Sequence, residues 1–399
     1  MTERNLNFDI QINRRGTHSL KWDFAVERGI LKPGEKEDLI PLWVADMDFQ
    51  TSSYIQDALI KQVEHGIFGY SEAKEDYFLA IKDFYARRHQ FEISSSDWVI
   101  KAPGVMFLLA MAVNAFTGKG DAVLIQEPVY MHFRELILAS GRKTISSDLI
   151  RKEDRRYFID FSDFEKKVQE NHVKLFFLCN PHNPVSRVWS RKELETIGEI
   201  CLKHHVIIVS DEIHNDFIFC GKHLMMASLS EKISDITISV TAPTKTFNLA
   251  GLQIAHAFIS NKKLRDAIQH EIDAVAYSQV NVAGLIASEA AYKYGEEWLD
   301  ALLKYIRGNI DFTSEFIRNH LPDIKLTPVE ATYLAWLDFS GLKKSPTEID
   351  DIILHKVRLW LNSGARFGKS GRGFERINLA CPRTTLESAL KRLQKAFYG

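Results

Sequence analysis

Lys245 lies in the stretch 241–251, TAPTKTFNLAG, directly after a strand-like apolar run and among small and hydroxylated residues. A lysine held in a buried, cation-rich site loses part of its affinity for a proton, and its free amine can then form a Schiff base with an aldehyde. Alone, such a residue reads as a solvated loop lysine. Its upstream neighbours change that reading. Tyr130, Asn183 and Asp211 also follow short apolar runs, at residues 121–125, 174–179 and 206–209, as Lys245 follows 236–240. Ligands of open α/β sheets bind beyond the carboxyl ends of the strands, so the four groups are expected to converge.

Together they suit one cofactor, pyridoxal 5'-phosphate. A pyridine ring withdraws electrons well only while its nitrogen is protonated, and a neighbouring carboxylate favours that state; Asp211 is the candidate. Tyr130 can stack on the ring, Asn183 can donate to a phenolic oxygen, and His214 can add a second donor. Gly104 and Val105 open an apolar helix after a short strand, and with Thr241 and Thr244 they can offer amides and hydroxyls to a phosphate. Each position has a plain structural alternative: a core-edge aromatic at Tyr130, a turn between prolines at Asn183, a helix cap at Asp211, an ordinary strand–helix connection at Gly104. Their joint order favours the shared site.

Composition narrows the partners. The chain has 399 residues, a net charge of -1 and a pI near 6.9, which gives no basic stripe for nucleic acid and no polybasic membrane patch. The first residues carry no apolar signal-like core and no run reaches the length of a membrane span, so a cytoplasmic location is expected. Cys179, Cys201, Cys220 and Cys381 form no C-x-x-C pair, and no H-E-x-x-H occurs, so no metal site is expected.

Apolar spacing predicts helices over 52–65, 75–91, 106–116, 191–204 and 386–397, and a long helical stretch over 284–320 broken near Gly308 and Asn309. Strands are expected over 97–101, 332–337 and 376–380, besides the four apolar runs. Short apolar runs alternating with helices indicate a mainly parallel sheet covered on both faces. Residues 43–49, WVADMDF, read as an irregular arm packed against something larger. Residues 364–373 hold four glycines among several cations and read as a mobile loop over the site. The expected division is an arm over 1–50, a large domain over 51–290 and a small C-terminal α/β domain over 291–399.

The order Tyr130, Asn183-Pro184, Asp211-Glu212-Ile213-His214 and Thr244-Lys245-Thr246-Phe247-Asn248 resembles the fold type I pyridoxal-phosphate enzymes of the class I/II aminotransferase superfamily. Residues 43–49, 180–184, 211–214 and 378–383 resemble its MalY/PatB-type cystathionine β-lyases, or C-S lyases. The resemblance implies a large domain with a seven-stranded sheet. It further implies that Lys245 is the Schiff-base residue, that Asp211 pairs with the pyridine nitrogen, and that Arg376 grips the substrate carboxylate beside Tyr130 and Asn183. It also implies a homodimer in which Tyr70 reaches the partner's phosphate. Three positions depart from the family pattern: Ser186 replaces a usual glycine, Gln253 stands where many aminotransferases carry an arginine, and Ala242 lacks a hydroxyl found in some relatives.

The activity implied is β-elimination of L-cystathionine or a related S-substituted cysteine to a thiol, pyruvate and ammonia, with Lys245 as general base. An aminotransferase shares the early chemistry and remains the alternative; His214, Gln253 and the 43–49 arm favour the lyase. A lyase with an added regulatory, partner-binding role is the second alternative. A dehydrogenase-like nucleotide binder lacks its G-x-G-x-x-G turn.

Overall fold

A computed structural model describes residues 2–35 and 38–399. The apolar runs become strands of one seven-stranded sheet: β1 Val99–Ala102, β2 Ala122–Ile125, β3 Lys143–Ser146, β4 Leu175–Cys179, β5 Ile207–Asp211, β6 Thr237–Thr241 and β7 Ala255–Phe258. Their spatial order is β1-β7-β6-β5-β4-β2-β3, with β2 to β6 paired in parallel and β7 antiparallel to both neighbours. Strands β2, β4 and β6 are buried at every position, as expected of a sheet covered on both faces.

Side chains alternate between two cores. Phe177, Cys179, Val209 and Val240 join the core beneath helices Val105–Phe116 and Lys262–Ala274. Phe176, Leu178 and Ile208 join the one beneath Phe161–Glu170 and Arg191–Lys203, the period of two that a pleated strand imposes. The register sets Cys179 opposite Asp211 and Asp211 opposite Val240. The segments leaving β4, β5 and β6 therefore emerge along one edge of the sheet.

A second, antiparallel sheet orders Lys325–Leu326, Leu334–Asp338, Phe374–Asn378 and Asn362–Ser363. It shares a core with helices Glu296–His320 and Arg383–Tyr398. Among the described residues, no helix is long and apolar enough to cross a membrane.

Two expectations change. The long helical stretch breaks at Gly295, between Val282–Tyr294 and Glu296–His320, and runs unbroken through Gly308 and Asn309. A Cβ at Gly295 would stand 2.4 Å from the Phe247 ring, so packing against the segment after Lys245 requires glycine there. Asn309, fully buried, donates to the carbonyls of Leu379 and Cys381. The glycine-rich segment 364–373 is packed: Phe367 is buried and its carbonyl accepts from the amide of Val129 at 3.0 Å. A Cβ on Gly364 would lie 2.0 Å from the Gly371 carbonyl oxygen. Close backbone approach accounts for Gly364 and Gly371.

Residues 43–49 cross between the two sheets with their backbone groups held by asparagines. Asn378 donates to the carbonyls of Val44 and Asp46, and Asn248 to those of Met47 and Phe49. Asn362 donates to Trp43. An irregular buried segment has no ladder of its own, and side-chain amides replace it.

Candidate active site

A cavity of about 350 Å³ opens at the carboxyl ends of β4, β5 and β6, lined by Gly104, Val105, Tyr130, Asn183, Asp211, His214, Thr244 and Lys245, together with Ala45 and Gln253. Eight of the sequence-derived candidates are thus brought together. A more open depression of about 450 Å³ beside Lys101, Lys262 and Arg265 holds none of them.

Lys245 is carried on the short turn Pro243–Thr246 just after β6. Its amine donates to the Ala45 carbonyl at 2.5 Å. Burial pushes its pKa down to about 8; Arg376 adds to the effect, while Asp46 and Asp211 oppose it. The free base is therefore accessible near neutral pH, as a nucleophile or proton acceptor requires.

Asp211 ends β5, buried, and accepts one backbone bond, from the Ile213 amide at 3.2 Å. Burial pushes its pKa up to about 7, and the adjacent Glu212 carboxylate pushes the same way. Glu212 is itself held by His223, Ser239 and the Met226 amide. A buried carboxyl with unused acceptor capacity facing a cavity suits a cationic ring nitrogen. His214 is buried with Nδ1 free of any partner among the described residues and, desolvated beside Lys245 and Arg376, stays neutral.

Tyr130 caps the helix Met131–Ala139 and presents its ring at the cavity wall. Burial pushes its pKa up to about 12, keeping the phenol protonated. Asn183 accepts from Arg376 Nη1 at 3.1 Å through Oδ1, which leaves its amide nitrogen available as a donor.

Arg376 sits on the strand Phe374–Asn378, only 3% exposed, with its other Nη on the Trp43 carbonyl at 2.9 Å and its guanidinium 5.0 Å from the Phe367 ring centre. Its Nε is buried without a partner among the described residues. The fork is pre-oriented and retains donor capacity for a carboxylate.

Gly104 and Val105 begin the helix Val105–Phe116. A Cβ at Gly104 would meet nothing within 4 Å, so the cavity stays open above backbone amides that no helical carbonyl can satisfy. Thr244 lines the same cavity and adds a hydroxyl to these amides. The donor set fits pyridoxal 5'-phosphate: an amine, a buried acceptor for the ring nitrogen, and an anion corner.

Three candidates do not line the cavity, and of these Arg376 adjoins it through its bond to Asn183. Thr241 does not line the cavity: its hydroxyl accepts from Tyr85 at 2.9 Å and points to the Glu212 carbonyl, inside the sheet. Tyr70 is 99% exposed and lies outside this chain's cavity. Sequence reasoning missed Ala45 and Tyr333. The Tyr333 hydroxyl, like Lys245, donates to the Ala45 carbonyl, at 2.9 Å, and a main-chain acceptor leaves no side-chain signature. Ser186 has φ +57° and donates to the Leu334 carbonyl; this left-handed backbone is one that glycine adopts without strain.

Residues 37–393 match the family "Aminotransferase class I and II". The chain is 40% identical over 395 residues to cystathionine beta-lyase PatB of Bacillus subtilis, covering 98% of this chain and 100% of PatB. It is 30% identical to protein MalY of Escherichia coli, covering 98% of each. Among solved structures, cystalysin from Treponema denticola, which contains a pyridoxal 5'-phosphate cofactor, superposes with a TM-score of 0.93 at 37% identity, covering 98% of each chain. A cavity at the sheet's carboxyl edge lined by Lys245 and Asp211, with Arg376 behind Asn183 of its wall, together with this full-length similarity, places the chain in the class I and II aminotransferase family.

Proposed function

We propose that the protein is a pyridoxal 5'-phosphate-dependent carbon–sulfur β-lyase acting on L-cystathionine or related S-substituted L-cysteines, in the cytoplasm, as a homodimer to which Tyr70 contributes across the interface. The observation that carries this reading is the convergence of Lys245 and Asp211 on one cavity, with the Arg376 fork bonded to Asn183 of its wall. The similarity to a cystathionine β-lyase and to cystalysin supports the reaction type.

When bound, the cofactor supplies an aldehyde carbon that bonds an amine and a protonated ring that withdraws the electron pair left on the substrate α-carbon. Asp211 holds the proton on the ring nitrogen. Gly104, Val105 and Thr244 hold the phosphate, Tyr130 and Asn183 fix the ring, and His214 adds a polar contact. Arg376 clamps the substrate α-carboxylate, which orients the α-hydrogen towards Lys245. Lys245, its amine free once substrate has replaced it, takes that proton. The carbon–sulfur bond then breaks with its electron pair on sulfur, and the thiolate is protonated. Once Lys245 has displaced it in turn, the three-carbon remainder takes up water to give pyruvate and ammonia.

Incubation of the holoenzyme with L-cystathionine and no keto acid is expected to release pyruvate and homocysteine in equal amounts. Absence of pyruvate, with amino transfer appearing once 2-oxoglutarate is added, would overturn the lyase in favour of an aminotransferase. Arg376→Lys keeps the charge but loses the fork. It is expected to lower kcat/KM about 100-fold, mainly through KM, because two directed hydrogen bonds to the carboxylate become one at most. A steady-state comparison with an S-substituted cysteine checks this.

A further inference from the structure

The segment carrying Ala45 is gripped from its other side by the N-terminal residues. Lys21, fully buried, donates to Asp48 Oδ2 at 2.7 Å and stands 3.7 Å from Asp46 Oδ1. Arg14 divides its fork, one Nη on Asp48 Oδ1 at 2.7 Å and the other on Asp46 Oδ2 at 2.6 Å, and also reaches the Met47 carbonyl. Trp22 Nε1 adds a third donor to Asp48, at 3.0 Å. Burial pushes the Asp48 carboxyl up, but Lys21, Arg14 and Trp22 outweigh it and hold it ionised.

Two cations and two carboxylates are therefore matched, Lys21 and Asp48 in the interior and Arg14 and Asp46 half-buried beside them, and removing a buried member leaves an uncompensated charge. Such a cluster tolerates little movement of the backbone between its members. Residue 45 precedes Asp46 directly, and its carbonyl is the group on which the Lys245 amine and the Tyr333 hydroxyl both converge. Asp46 Oδ1 is buried and, among the described residues, accepts no hydrogen bond; although Arg14 and Lys21 offset its charge, the carboxylate still favours the protonated Lys245 amine.

We propose that Arg14, Lys21, Asp46 and Asp48 form a positioning cluster for Lys245: the N-terminal cations fix the 43–49 segment so that the Ala45 carbonyl receives the released lysine amine, and Asp46 supplies negative potential beside it. The inference rests on the reading of Lys245 as the cofactor-bonding residue. The amine donates one N–H to Ala45 and keeps its lone pair for the substrate proton. Other groups facing Lys245 are the Asp211 carboxyl, the Arg376 guanidinium, neutral His214 and the phenols of Tyr130 and Tyr333.

The signs are opposite for the two kinds of member. Asp46 favours the protonated form of the Lys245 nitrogen, so Asp46→Asn is expected to move the midpoint of the pH titration of the cofactor's visible absorption band down by about 0.5–1 pH unit. Arg14→Gln removes a cation that offsets Asp46, and is expected to move the midpoint up. Asp46→Glu, which keeps the charge, is expected to leave it near the wild-type value. Titration of the holoenzymes, with melting temperatures recorded alongside, reads all three. An unmoved midpoint in Asp46→Asn, or shifts of the same sign in Asp46→Asn and Arg14→Gln, would overturn the proposal; if one variant fails to fold, the sign in the other decides. A wild-type band that survives in Lys245→Ala would instead sink the reading of Lys245 itself.

Discussion

Replacement of Lys245 by alanine is expected to lower kcat about 10³-fold or more while leaving the fold intact. The loss combines the bond to the cofactor and the general base, and a positioned base alone contributes roughly 10²–10⁴-fold. Stability separates this from a structural effect. The Lys245 pKa is depressed by burial from 10.5 to about 8. The buried cation therefore opposes folding at neutral pH, and the opposition fades as pH rises from about 8 through the unfolded value. The cofactor-free alanine variant should thus melt no lower than wild type at pH 7, and its advantage should shrink towards pH 10. Addition of a small primary amine is expected to restore part of the rate, because the Ala45 carbonyl that received the lysine amine remains in place. An alanine variant that retains wild-type turnover, or that melts well below wild type at neutral pH, would contradict the assignment.

The residues that sequence reasoning found share one property: their position is fixed by the parallel sheet. Tyr130, Asn183, Asp211 and Lys245 each follow an apolar run, and aligned register then brings the last three to one edge. Thr241 obeyed the same rule by position but not by direction. It is the last residue of β6, and the pleat turns its hydroxyl to Tyr85. Strand-end position is legible, whereas the face a terminal side chain takes depends on packing that the run does not encode.

Arg376 was legible only through resemblance, since a charge beside a strand has no periodic signature. Its surroundings come from residues far apart in the chain, Asn183 and the Trp43 carbonyl. The glycines misled for a related reason. Gly308 suggested a break, yet its helix continues because tertiary packing outweighs a propensity cost of about 1 kcal/mol. Gly295 breaks the run where Phe247 leaves no room for a side chain. Glycines 364 and 371 read as mobility but serve two strands of backbone in contact. Lys21 falls in the expected arm over 1–50, and only the fold shows it entering the interior to meet Asp48. Local composition reports what a residue permits; long-range contact decides how it is used.

Asp211→Asn is expected to reverse the usual relation between stability and activity. In the cofactor-free protein the carboxyl is raised from 3.8 to about 7 by burial, so the folded state binds a proton that the unfolded state has released. Stability therefore falls as pH rises through this window, the cost being absent below about pH 4 and complete above about pH 7. At ~1.4 kcal/mol per pH unit the ceiling is about 4 kcal/mol, reduced by relaxation of the site. Asparagine keeps the shape without the charge, so the cofactor-free variant should melt higher than wild type at pH 8 and equally at pH 4. The same carboxylate is favourable once a cationic ring nitrogen faces it. An amide cannot hold that nitrogen protonated, so kcat is expected to fall about 10³-fold, the scale of loss when a preorganised electrostatic partner is removed. Wild type should gain more melting temperature from pyridoxal 5'-phosphate than the variant does, since binding to the folded state adds stability according to affinity. Thermal melts at both pH values, with and without cofactor, read the whole relation. An asparagine variant that is less stable than wild type at pH 8 without cofactor, or that gains as much from cofactor, would show that Asp211 acts as a structural hydrogen-bond acceptor and not as a stored charge awaiting the ring.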